Sequence, residues 1–220
     1  MNELLFSITL LVNFVGILIS YKLFKKTGLY AWIAFATIIA NIEVTKCVDI
    51  FGMSLTLGNV IYGTIFLATD MLSELYGGKS ARKGVMIGFL SMIVFTIISQ
   101  INLLFIPNSF DYVSEAMKTI FALTPRICIG SLIAYLVSNT LDTYTYDVIR
   151  KKFPKHLWLR NNGSTMTSQL VDSFLFTIIA FAGVFSWLEV IELSITTYLL
   201  KLIIALCDTP FLYIAKKIKK

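Results

Sequence analysis

Residues 56–82 read TLGNVIYGTIFLATDMLSELYGGKSAR, and the fold turns on them. The run from 57 to 76 has the length of a helix across a bilayer, which needs about 20 mostly apolar residues. Asn59, Tyr62, Phe66, Asp70 and Glu74 recur in it at three- and four-residue steps, which puts them on one helix face. Charges at membrane depth are costly and face a cavity or a partner. Two carboxylates one turn apart repel each other unless a cation or a proton intervenes. Asp70 and Glu74 therefore either cap the helix end and pair with Arg82 or Lys83, or line the route of a polar solute.

Outward from this stretch the chain stays apolar. Of its 220 residues, 57% are hydrophobic and only 15% are charged. A soluble domain carries about 25% charged residues, so this chain is short of the polar residues that would cover a water-facing surface. Spans are expected at 4–22, 29–47, 57–76, 84–106, 119–141, 165–188 and 193–214. Backbone groups in lipid must bond internally, and the alternating pattern of barrel strands is absent, so these spans are helices. The expected fold is all-α: a polytopic bundle of seven transmembrane helices, one domain over 1–220. The first span lacks a basic leader and a cleavage site, and Lys22, Lys25 and Lys26 follow it, so it reads as a transmembrane helix and not a signal peptide.

The charges test the count. Lys22, Lys25 and Lys26, then Lys79, Arg82 and Lys83, then Arg150, Lys151, Lys152, Lys155 and Arg160, then Lys216, Lys217, Lys219 and Lys220 follow odd-numbered spans. With seven spans these fifteen of the nineteen basic residues lie on one side, the cytoplasmic one. The N-terminus is then outside and the C-terminus cytoplasmic. The net charge of +6 thus reports orientation in a membrane and not a nucleic-acid partner. Trp158 in the basic segment 150–163 is expected at headgroup depth. Cys47, Cys128 and Cys207 are odd in number and without metal spacing, so they read as packing residues. No metal or other cofactor is expected. Walker A and GxSxG motifs are absent, and the lone His156 excludes HExxH zinc chemistry, so no enzyme is indicated.

Further polar residues mark the other spans. Asn41, Glu43 and Lys46 lie in the second, where Glu43 and Lys46 are spaced to pair locally. The fifth begins with Pro125 and Arg126 and ends near Asp142. Its Gly130, Ala134 and Ser138 are spaced for close helix packing. Arg126 lies more than a turn from the nearest acid, Glu115, and is expected to need a carboxylate or a bound ligand. In the sixth, Gln169, Asp172 and Phe176 share a face, with Ser173 beside them. The seventh carries Tyr198, Lys201, Asp208 and Pro210. Lys201 is too deep to snorkel easily. It either pairs with Asp172 or Glu43 or binds an anionic or carbonyl group. Gly84 and Gly88 form a GxxxG step, read as the basis of a homodimer.

Four stretches, 56–82, 126–142 (RICIGSLIAYLVSNTLD), 158–183 (WLRNNGSTMTSQLVDSFLFTIIAFAG) and 198–210 (YLLKLIIALCDTP), resemble the queuosine precursor transporter family, also called vitamin uptake transporter-like. The resemblance covers 56–210; residues 1–55 carry little of it. It implies import of 7-cyano-7-deazaguanine, its aminomethyl relative or queuine across the bacterial inner membrane, without an ATPase of its own. It also implies a six-helix core similar to the substrate-binding subunits of energy-coupling-factor importers, the alternative function. Ala36 and Ala40 offer a small-residue step for a coupling partner. A deazaguanine has donors on one edge, a carbonyl and a flat face. Asn59, Tyr62, Phe66, Asp70, Glu74, Arg126, Gln169, Asp172, Phe176 and Lys201 together supply acceptors, donors and rings for it. Which residue meets which edge stays open at this point.

Overall fold

The computed structural model describes residues 1–153 and 157–219, without the side chains of 142, 143, 146, 147, 150, 157–162, 164, 165, 205, 206, 208, 209 and 219. Asp142, Arg150, Lys155, His156, Trp158, Arg160 and Asp208 thus lie outside the described side chains. The described elements are α1 (Asn2–Glu43), β1 (Cys47–Ile50), β2 (Met53–Thr56), α2 (Gly58–Tyr76), α3 (Gly78–Asn102), α4 (Ser114–Phe121), α5 (Thr124–Lys152), α6 (Leu157–Phe181) and α7 (Trp187–Lys219).

Helix α1 holds the first expected span and most of the second, whose last residues, 44–47, lie beyond the helix end at Glu43. Lys25 has φ 52 and ψ −131, which breaks the helix. Ser20 Oγ donates to the Gly28 carbonyl at 3.0 Å. A Cβ on Gly16 would come within 2.7 Å of the Trp32 indole. Asn2 Nδ2 donates to the Asp49 carbonyl at 2.9 Å. A straight helix of 42 residues would be about 63 Å long, so these contacts require two antiparallel arms, 2–24 and 26–43. The fifth expected span is interrupted instead: α4 ends before two turn residues, and α5 resumes at Thr124. The expected fourth and sixth spans overrun their helices, because residues 103–106 and 182–186 are connections.

The hairpin of β1 and β2 is an addition to the expected all-α fold. Its register pairs Ile50 with Met53, which leaves Phe51 and Gly52 as a two-residue turn. Their φ values of 53 and 72 are those of a type I′ turn, the form whose twist suits a hairpin. Gly52 meets this at no steric cost, whereas Phe51 does not. The Phe51 amide donates to Glu3 Oε1 at 3.4 Å, which ties the turn to the start of α1.

The chain divides into two compact units, residues 1–125 with 200–220, and residues 126–199. In the first unit the second arm of α1 runs antiparallel to α2: Trp32 Nε1 donates to Thr64 Oγ1 at 2.9 Å, and Gly58 abuts the Ala40 carbonyl. The C-terminal half of α7 runs parallel to α2. Ile204 fills the space beside Gly63, and Lys216 pairs with Glu74. These directions agree with seven alternating spans. Gly84 and Gly88 pack inside this unit, where added Cβ atoms would sit 2.8 Å from Ile33 and Leu72 and 3.1 Å from Ile33. The GxxxG step therefore serves packing within one chain and gives no basis for a homodimer. Ala36 and Ala40 are likewise buried, packed with Ile61.

In the second unit α5 and α6 are antiparallel. Gly130 lies against Ile179 and the Phe176 carbonyl, Ala134 is buried, and Ser138 meets Asp172. The small residues on this face do pack helices, as their spacing indicates. The start of α7 is held by a reciprocal cap: the Ser186 amide donates to Glu189 Oε2 at 2.8 Å, and the Glu189 amide donates to Ser186 Oγ at 3.4 Å.

Large apolar side chains are exposed along α1, α3, α5, α6 and α7, among them Leu11, Ile19, Leu90, Ile97, Leu136 and Ile178. Soluble monomers do not expose apolar surface on this scale. Three stretches among the described residues, Asn2–Glu43, Gly78–Asn102 and Ser114–Leu141, are long and apolar enough to cross a bilayer. The fold is an all-α membrane helix bundle.

Candidate substrate site

The ten residues singled out in the sequence fall into two groups, one in each unit. On α2 the buried face consists of residues such as Val60, Thr64, Leu67, Met71 and Leu75. Tyr62 and Phe66 are half-buried and Asp70 is exposed, so they line the other face at four-residue steps. The rings of Tyr62 and Phe66 meet edge to face, with centroids 5.4 Å apart. Lys201 is only 8% exposed, and its ammonium lies 5.8 Å from the centre of the Tyr62 ring. The ring's negative face stabilises a cation taken out of water. The first unit thus brings together a stacking pair, a buried cation and a carboxylate.

Asn59 and Glu74, at the two ends of the same face, have structural partners. Asn59 is buried, and its Nδ2 donates to Thr56 Oγ1 at 2.9 Å, which fastens the end of β2 to α2. Glu74 accepts from Lys216 Nζ at 2.6 Å. The partner expected from the sequence was Arg82 or Lys83; the structure pairs Glu74 with Lys216 of α7, whose C-terminal half runs parallel to α2. The local Glu43–Lys46 ion pair does not form. Helix α1 ends at Glu43, and the Lys46 amide donates to the Glu43 carbonyl at 3.0 Å.

The second unit concentrates polar groups on α6. Asp172 is 8% exposed, and its Oδ1 accepts from Ser138 Oγ at 3.1 Å. Gln169 Oε1 and Ser173 Oγ are buried and have no hydrogen-bond partner among the described residues. Phe176 lies edge to face with Phe181. Positions 169, 172, 173 and 176 follow helical steps along one stripe. Buried polar atoms are nearly always partnered, so two orphans beside a carboxylate call for an explanation.

Arg126 corrects the expectation of a carboxylate or ligand partner. Its Nη2 donates to the Ile179 carbonyl at 3.0 Å and to the Ala182 carbonyl at 2.8 Å. The last carbonyls of a helix have no partner within it and carry its negative pole, so Arg126 caps the end of α6. Ser138 and Ser173 were read from the sequence only as small residues and a neighbour of Asp172. The spacing of Ser173, four residues after Gln169, was the available sign.

The architecture and these polar faces define a polytopic membrane protein equipped to handle a polar solute. Residues 56–215 match the family model described as "Putative vitamin uptake transporter". The chain is 48% identical over 209 residues to the probable queuosine precursor transporter of Bacillus subtilis, covering 94% of this chain and 91% of that one. It is 29% identical to the queuosine precursor transporter of Escherichia coli, over 76% of this chain and 75% of that one. A probable queuosine precursor transporter of Haemophilus influenzae is 28% identical, over 71% and 66%. No solved structure gives a significant match. The chain belongs to the vitamin uptake transporter family.

Proposed function

We propose that this chain imports queuosine precursors (7-cyano-7-deazaguanine, its aminomethyl relative or queuine) across the bacterial inner membrane, as one transporter domain without an ATPase and without enzymatic activity. The observation that carries the chemistry is the stripe on α6. It presents a buried carboxylate beside two hydrogen-bonding atoms that have no partner among the described residues, Gln169 Oε1 and Ser173 Oγ. A deazaguanine offers a ring N–H and an exocyclic amine on one edge, and acceptors such as Asp172 and Gln169 suit them. Phe176 provides a ring nearby for the flat face, worth about 1–3 kcal/mol per stacked base in nucleic-acid binders. Arg126 positions this stripe by capping α6. In the first unit, Tyr62 and Phe66 offer a second stacking pair, Lys201 a donor for a carbonyl and Asp70 an acceptor. Asn59 and Glu74 hold the ends of that face.

The relatives' names support the solute class, and the Bacillus subtilis protein's match over 94% of this chain supports carrying it over. The basic residues that follow the odd-numbered spans support a cytoplasmic C-terminus and an outside N-terminus. A strain unable to make the precursors, given this gene and external 7-cyano-7-deazaguanine, regains queuosine in its tRNA. No regain, with the protein present in the membrane, overturns the proposal.

A further inference from the structure

One end of the first unit gathers cations around tyrosine rings. Lys26, which starts the second arm of α1, places its ammonium 5.8 Å from the Tyr30 ring centre and 5.5 Å from that of Tyr76. Lys83, near the start of α3, places its ammonium 5.8 Å from the same Tyr30 ring. Two cations from two elements thus share one ring. Neither forms an ion pair among the described residues, and Lys83 is exposed. The other groups at this end do not relieve them. Glu74 is held by Lys216, and Lys25 donates to the Ile218 carbonyl at 3.2 Å. Lys22, Lys79 and Arg82 add further positive charge. An anion with several oxygens that sits between Lys26 and Lys83 removes their mutual repulsion and accepts from both.

The surface below Lys83 decides the kind of anion. Met86, Leu90, Val94, Ile97 and Ile101 follow Lys83 on α3 at steps of three and four residues, so all six share one face. All five apolar residues are exposed, from 43% at Val94 to 63% at Met86 and Leu90. At 1.5 Å per residue the stripe from Met86 to Ile101 is about 22 Å long, more than the roughly 15 Å of one leaflet. At the neighbouring bend, Leu23 and Phe24 are exposed as well. A cationic head at the end of an apolar stripe is the complement of a phospholipid. We propose that Lys26 and Lys83, bracketing Tyr30, bind the phosphate of an anionic phospholipid whose acyl chain lies along α3. Free phosphate shares the headgroup chemistry and makes no use of the stripe.

The test uses the full chain purified from a mixture of phosphatidylglycerol and phosphatidylcholine, with retained lipid counted by native mass spectrometry. The wild type retains phosphatidylglycerol in preference. Lys26→Gln with Lys83→Gln lowers that preference about tenfold or more, since each surface lysine contributes about 1 kcal/mol towards anionic lipid. Lys151→Gln with Lys152→Gln, in the other unit, leaves it unchanged. In detergent, phosphatidylglycerol raises the melting temperature and inorganic phosphate at equal concentration does not. Retention by the first pair equal to wild type overturns the proposal. So does an equal loss in the second pair, which marks general charge attraction, and so does equal protection by inorganic phosphate. If the double variant does not fold, Lys83→Gln alone decides in the same assay, because its side chain is exposed.

Discussion

The two units answer the same difficulty, a cation inside an apolar helix, in different ways. In the first, Lys201 is covered by the Tyr62 ring on the open face of α2. In the second, Arg126 is spent on the carbonyls that end α6. A guanidinium has five donors in a fixed fork and suits two adjacent carbonyls, whereas an ammonium is a compact charge that a ring face can hold. The difference teaches that an intramembrane charge is not by itself a ligand-binding charge. Arg126 maintains a helix end, while Lys201 stays on a face with two aromatic rings and a carboxylate.

The comparison can be broken first by its packing. Replacing Gly84 and Gly88 with Leu forces side chains into Ile33, Leu72 and Thr37. Overpacking costs about 1–3 kcal/mol at each site. The double variant is expected to show a large loss of folded protein in a thermal melt. A folded variant with altered mass in detergent would instead place these glycines at an interface between chains.

Next come the two polar faces. Asp172→Asn turns half of the acceptor into a donor facing the solute's donors. Hydrogen bonds to charged groups are worth about 1.5–3 kcal/mol, so affinity for a deazaguanine should fall roughly tenfold to a hundredfold. Lys201→Met removes the cation on Tyr62 and should lower affinity about tenfold, the loss of about one charge-assisted contact. Arg126→Gln sharpens the contrast. It should lower the melting temperature and leave the affinity of the folded fraction within a few-fold. Affinity lost without loss of stability would make Arg126 a ligand contact.

The smallest effect belongs to Glu189. Hydrogen bonds from the Ser186 hydroxyl and amide hold its carboxyl below the usual range. A lowered folded-state pKa stabilises the fold above the unfolded value of about 4.3. That contribution is lost as pH falls through the lower, folded value. Protection factors of the amides in the first turn of α7, taken relative to the intrinsic exchange rate at each pH, should fall as the solution is acidified below about pH 4, and Glu189→Gln should flatten this dependence at the lower protection.

Much of this was legible in sequence because the bilayer imposes length and apolarity on each span. The sharp reversal at Lys25 followed from the basic residues between two apolar runs. The hairpin at 47–56 was not legible, since its turn is Phe51–Gly52 and lacks the Asn or Asp that usually announces a type I′ turn. The stripe of Gln169, Asp172 and Phe176 was visible from helical spacing. The roles of Arg126 and Glu74 were not, because their partners come from residues 179, 182 and 216, which only tertiary structure brings near.

The central claim is that the α6 stripe holds the guanine-like edge of the solute. Equilibrium binding of 7-cyano-7-deazaguanine to the purified wild type, Asp172→Asn and Asp208→Asn, all checked for equal folding by melting temperature, tests it most directly. The account predicts binding by the wild type, a loss of tenfold or more with Asp172→Asn, and a smaller change with Asp208→Asn. Unchanged binding by Asp172→Asn, with binding lost in Asp208→Asn, would contradict it.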